Sequence, residues 1–381
     1  MKSSHRTMTR TLGVWVAAVA IACMASGCGK KDDDDDEEDS GNAPSGGTTQ
    51  DGGDADLPDA PQHVLDLFQD TSSIDPAALG NGGTDCLQID SQATFADAVE
   101  PWPAELKAFL ASELAKFPEF DLVTGAVAGI FLAKADMLSD PSLPELGGIA
   151  GIMCGAAGDT RGYVFINHEE YVTNRLASGA LGTYQSLTGA VDPHVVTEHG
   201  DQAVYTLIHE IFHAIDHTYY RNTDDATALA GRAEVLELAW NDAGDSLDPR
   251  ADIYALTGTS RRPGCTLRGF SLAPVTPDEH VAAYRQIAEE TNFISPYAQS
   301  NEGEDFADTL ATWYFRVTYD NGLIRSVYRE DITATPLSSA ELLYKFDTKE
   351  ILSTSERHRD KMCAMVDLVF AAQDCASQLQ N

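Results

Sequence analysis

His209-Glu210-Ile211-Phe212-His213, inside the run QAVYTLIHEIFHAIDHTYYR, limits more than any other feature what this chain can become. Val204, Leu207, Ile208, Ile211, Phe212 and Ile215 surround the motif, and a helix apolar on nearly every side belongs in a domain interior. Histidines four residues apart project from one helical face, close enough to share an ion. Buried there without partners, two imidazoles and a carboxylate would each carry a desolvation cost of roughly 1–3 kcal/mol. A metal and its water remove most of that cost. His209 and His213 are therefore candidate zinc ligands, and Glu210 stands beside the first of them, where a carboxylate can take a proton from a metal-bound water.

A catalytic zinc usually keeps three protein ligands and one open position. A local third histidine would need the spacing HExxHxxGxxH, and the chain has Asp216 and Tyr219 at those two places. His217 lies eight residues from His209, about 12 Å along a straight helix, too far to share one ion. It is expected to be partly exposed or to support the ligands from outside. The remaining route is the stretch YAQSNEGEDFADTLATWYF from Tyr297, where Phe306, Leu310, Trp313 and Tyr314 recur at helical spacing. Glu304 and Asp308 are four apart on one face, so Glu304 can bind the metal while Asp308 orients a ligand histidine. Glu302 competes for the ligand role, but Phe306 stands where its supporting acid would be. The bland alternative is a solvated helix start, with acids favoured by the helix dipole.

HEIFHAID followed by YAQSNEGEDFAD resembles the lethal-factor-like zinc peptidases, gluzincins whose ligand glutamate lies on a helix C-terminal to the HExxH helix. The family pattern has a tyrosine seven residues before that glutamate and then an aromatic-Ala-acid continuation, which Tyr297, Glu304, Phe306, Ala307 and Asp308 match. The resemblance implies a zincin-like fold, helix-rich α+β with a small sheet, holding one zinc per chain on His209, His213 and Glu304. It implies Glu210 as general base, Tyr297 as hydrogen-bond donor to the tetrahedral oxyanion, and Asp308 as support to a ligand. One departure is that 90 residues separate His213 from Glu304, which marks Asn241 to Pro274 as an insertion.

The N-terminus indicates place. Lys2, Arg6 and Arg10 precede an apolar run from Leu12 to Ala25, fourteen residues and too short for the roughly 20 that span a bilayer. Ala25-Ser26-Gly27-Cys28 resembles a bacterial lipobox, after which Cys28 would be acylated and become the mature N-terminus on the outer membrane or cell surface. A simple cleaved signal with a free Cys28 is the alternative. Asp32 to Asp39 are eight consecutive acids, followed by a Gly/Ser/Thr/Asp-rich stretch, an extended spacer by composition. With 25 basic against 60 acidic residues, nucleic acid is excluded as a partner, and cationic peptides are the substrates such a field favours. The anchor, rather than surface charge, would tie the chain to the membrane.

These features divide the chain into a leader (1–27), an acidic tether (28–61), an N-terminal helical region (62–160) and a catalytic domain (161–381). Helices are expected over Pro61–Gln69, Phe95–Phe117 and Leu122–Met137, with prolines 101 and 103 breaking or starting one. Arg161–Asn167 is the best strand, either an edge that pairs with extended substrate or an interior strand. His358 should sit on a solvated helix face, with Ser353 or Thr354 capping that last helix. His168, His194 and His199 should be in surface loops. Cys86, Cys154, Cys265, Cys363 and Cys375 allow two disulfides and one free thiol, with no pairing decided. The expected function is zinc-dependent endopeptidase; the rival is an inactive zinc-binding envelope protein used as an adhesion or assembly scaffold.

Overall fold

The computed structural model describes residues 60–70, 99–133, 148–151, 161–167, 185–186, 194–199, 202–221, 223–240, 276–299, 302–332, 335–370 and 373–379. The leader, Cys28, most of the tether, Cys86, Cys154, Cys265, His168 and the Asn241–Pro274 segment lie outside them. In chain order the elements begin α1 (Gln62–Leu65), β1 (Val99–Glu100), α2 (Ala104–Leu114), α3 (Phe120–Ala126), β2 (Val127–Ala133), β3 (Gly148–Gly151) and β4 (Gly162–Asn167). Then come β5 (Gln185–Ser186), β6 (Val195–His199) and α4 (Gln202–Ile215), the last continuing into a π-helical turn, Asp216–Arg221. The rest is α5 (Ala226–Leu236), α6 (Pro277–Glu290), α7 (Glu302–Tyr319), β7 (Leu323–Tyr328), β8 (Leu342–Asp347), α8 (Thr348–Thr354), α9 (Glu356–Val369) and α10 (Cys375–Leu379). The class is helix-rich α+β with small sheets.

One sheet has the order β1-β2-β4-β3, with β2 and β4 parallel and both outer strands antiparallel to their neighbours. The other, β5-β6-β7-β8, is antiparallel throughout. The helix expected over Leu122–Met137 stops at Ala126, and Val127–Ala133 is a strand instead. Such a short apolar run fits either state by periodicity; what decides here is the neighbour, because Gly129 to Ala133 pair one for one with Tyr163 to Asn167. Likewise only one helical turn forms after Pro61, and Phe68 then bridges Ile130 as an extra edge to β2. Pro101 and Pro103 separate β1 from α2, with Pro103 preceding the first helical residue. Tyr163–Asn167 lies inside its sheet between β2 and β3, so it is not the edge strand. His199 belongs to β6 rather than to a loop, and His194 directly precedes that strand.

Helix α4 crosses β2, β3 and β4 on one side and runs along α7 on the other. Leu207, Ile208, Ile211, Phe212 and Ile215 are fully buried as a result. Residues before and after position 160 share this core, Leu110, Leu114 and Ile130 packing with Phe212, Trp313 and Tyr314. Phe117 is its aromatic hub, 5.4 Å from Phe212 and 5.7 Å from both Tyr314 and Phe370 by ring centroid. The π-turn docks on α3 through a missing side chain, since a Cβ on Gly125 would lie 1.9 Å from the Tyr219 hydroxyl. The second sheet has its own core of Val195, Leu323, Val327 and Phe346 under Tyr284 and Ile287 of α6. That helix starts with a capping box of Thr276 and Glu279 around Pro277.

Helix α9 departs from its expected solvated character. Ser355, not Ser353 or Thr354, precedes it, and the Ser355 hydroxyl lies 2.6 Å from Nδ1 of a buried His358. The face is buried because α9 packs on α7 and α5. Lys361 is buried with it and donates to both oxygens of Asp305 at 2.5 Å, while Trp240 Nε1 donates to the same carboxylate at 2.9 Å. Burial pushes the Asp305 carboxyl up, against the pull of Lys361 and Trp240. A Cys363–Cys375 disulfide fastens α10 to α9.

Two stability outcomes follow from α9. Lys361→Met strands a buried carboxylate and should lower unfolding free energy by about 3–5 kcal/mol, read as a fall in the urea midpoint at unchanged slope. His358 is held at about 4, first by burial and then by Arg357 and Lys361, against 6.5 ordinarily. The unfolded chain therefore takes up this proton first, so the stability contribution is full above about pH 6.5 and is lost as pH falls toward 4, by roughly 3 kcal/mol in all. The unfolding gap between wild type and His358→Gln should narrow by most of that amount from pH 7.5 to pH 4.5. A pH-independent gap would show that His358 does not titrate in this way.

Candidate metal centre

Two helices build the site. Helix α4 presents His209 and His213, whose rings meet edge-on at 4.7 Å between centroids. Helix α7 delivers Glu304 from its first turn. His209 Nε2 and His213 Nε2 are 3.0 Å apart, and Glu304 Oε2 lies 3.1 Å from the first and 3.0 Å from the second. Among the described residues this is the one His/Cys/Asp/Glu group whose ligand atoms converge as a metal site requires. The donor triangle suits zinc: ligand atoms about 2.05 Å from an ion at tetrahedral angles would be about 3.3 Å apart. His209 and Glu304 are buried, while the His213 side chain is 20% exposed.

The charges are arranged to attract a cation. Burial by itself would raise the Glu304 carboxyl, but His213 and His209 more than reverse this and hold it down to about 2. Burial would lower the His209 imidazole, yet Asp308, Glu304 and Glu210 push it up to about 10. Where a proton is held this firmly, a metal ion can replace it.

Asp308 stands behind His209, with Oδ1 3.7 Å from Nδ1. That separation is longer than a hydrogen bond, so the contact is electrostatic in this state. The same carboxylate accepts from the Tyr205 hydroxyl at 2.5 Å and from the Ser295 hydroxyl. Burial pushes the Tyr205 phenol up, and Asp308 adds to the shift. Glu210 is buried next to the cluster, and the Tyr297 ring is 5.8 Å from that of His209. The structure thus brings His209, Glu210, His213, Tyr297, Glu304 and Asp308 into one place.

It does not bring Glu302 there. Glu302 turns outward to Arg232, which donates to it at 3.2 Å and grips Asp216 through two nitrogens at 2.6 and 3.0 Å. Arg232 therefore ties the π-turn after His213 to the start of α7, which sets how the two ligand-bearing helices meet. His217, expected to be partly exposed or supporting, is buried in that π-turn. Sequence reasoning missed Tyr205, Ser295 and Arg232. Tyr205 was findable, being four residues before His209 on the same helical face; no linear pattern marks Arg232.

Comparison of the chain with protein-family models, curated proteins and solved structures gave no match in any of the three. Its chemistry rests on the geometry above. Glu304→Ala should weaken zinc binding by more than the 10–100-fold typical of losing an outer partner, while Glu302→Ala should stay within a few-fold of wild type. Competition with a chromophoric chelator measures both, and the opposite ranking would move the ligand to Glu302.

Proposed function

We propose that this chain is a zinc-dependent endopeptidase of the gluzincin kind, with a zincin-like catalytic domain similar to the lethal-factor-like peptidases. One observation carries the reading: His209, His213 and Glu304 converge within 3.1 Å of one another, with Glu210 and Tyr297 buried beside them. Among the described residues no fourth His, Cys, Asp or Glu joins the group, which is the ligand count of a catalytic zinc rather than of a closed structural one, and the His213 side chain is partly exposed.

Zinc bound there supplies Lewis acidity, which lets water lose a proton near neutral pH and polarises a peptide carbonyl. The remaining chemistry belongs to the chain. Glu210 accepts the proton from the attacking water and returns it to the leaving amine. The Tyr297 hydroxyl donates to the oxygen that gains charge as the carbonyl becomes tetrahedral. Asp308 keeps the His209 ring oriented, and Tyr205 holds Asp308. Peptide enters from the His213 side. The proposal includes the place of action: a lipid on Cys28 and the acidic tether would display the domain on the cell envelope.

Glu210→Gln keeps shape and removes the base. It should retain one zinc per chain and lose cleavage of an unbiased peptide library by about 10²–10⁴-fold. Chelation should abolish wild-type cleavage and added zinc should restore it. Wild-type rates from Glu210→Gln would remove Glu210 as the base, and zinc without cleavage in the wild type would favour the scaffold reading.

A further inference from the structure

We propose that Ser295 is a positioning residue that sets Tyr297 and joins it to the carboxylate behind His209. The proposal deepens the peptidase reading and, as far as catalysis is concerned, rests on it. Ser295 is fully buried in the segment between α6 and α7, and its hydroxyl makes three contacts. It donates to Asp308 Oδ2 and accepts from the backbone N–H of Tyr297 at 3.1 Å and of Ala298 at 3.1 Å. One donor and two lone pairs are the whole capacity of a hydroxyl, and all are used.

The connectivity gives this contact its meaning. Asp308 faces His209 through one oxygen and holds Ser295 through the other. Ser295 in turn fixes the turn from which the Tyr297 side chain reaches the site. The ligand histidine and the oxyanion donor are thus linked through two side chains, although they lie on separate elements. Pro296 stiffens the same turn, since its ring fixes φ and keeps the residue before it out of helical geometry. Alanine at 295 would leave two buried N–H groups and one carboxylate oxygen without their partner, and the turn would relax toward other acceptors.

The first test needs neither metal nor substrate. In the metal-free chain, Ser295→Ala should speed amide exchange at Tyr297 and Ala298 tenfold or more, with α7 amides unchanged, and Ser295→Thr should recover much of the protection. Unaltered exchange at those two amides overturns the proposal, and so does equal loss of protection throughout α7, which would make Ser295 a general core residue. The second test uses the zinc-loaded enzyme and a peptide library. Ser295→Ala should lower kcat tenfold or more with zinc affinity within about threefold of wild type, yet cost little on a Tyr297→Phe background, because both changes remove one function. Additive losses would overturn the route through Tyr297. A wild type that does not cleave would instead remove the peptidase reading, leaving the exchange result to decide the local claim.

Discussion

The contact between α4 and α7 governs the rest of the molecule. Each helix brings ionisable groups into a largely apolar core, and neither set would be tolerable alone. Two imidazoles on one helix face two carboxylates on the other, and complementary charge offsets what burial costs. The sheet beneath α4 and the aromatic cluster around Phe117 hold that contact close.

The first two turns of α7 show how such a contact is held in register. Glu302 is bound to Arg232, Asp305 to Lys361 and Trp240, and Asp308 to Tyr205 and Ser295. These three anchors follow one another at every third residue and reach partners on different elements, so the helix can neither rotate nor slide without breaking one. Glu304 faces the Nε2 atoms of both imidazoles. An acidic composition that reads as a solvated helix start is in fact a set of fixings, each with its own partner.

Much of this was readable in the chain and some was not. The HExxH spacing places two imidazoles on one face whatever the fold, so His209 and His213 needed no tertiary information. Glu304 was separable from Glu302 because only it has an acid four residues later, Asp308 against Phe306. The β2 strand was illegible, since VAGIFLA is too short for its period to exclude a helix and its partner strand lies about thirty residues on. His358 misled because its neighbours Glu356, Arg357, Arg359 and Asp360 are charged; a helix buried on two sides can still show charge at the edges. Arg232 and Ser295 act through contacts between distant segments, which leave no trace in local pattern.

The Cys363–Cys375 link acts on a helix that already holds Lys361, and through it the acid next to Glu304. Closing so short a loop stabilises by about 3 kcal/mol where thiols are oxidised. In thiol-rich surroundings α10 would be kept by packing alone, including the Trp313 to Gln378 hydrogen bond. Helix α10 therefore acquires its covalent fastening only in a compartment that permits it, at a point two residues along α9 from Lys361.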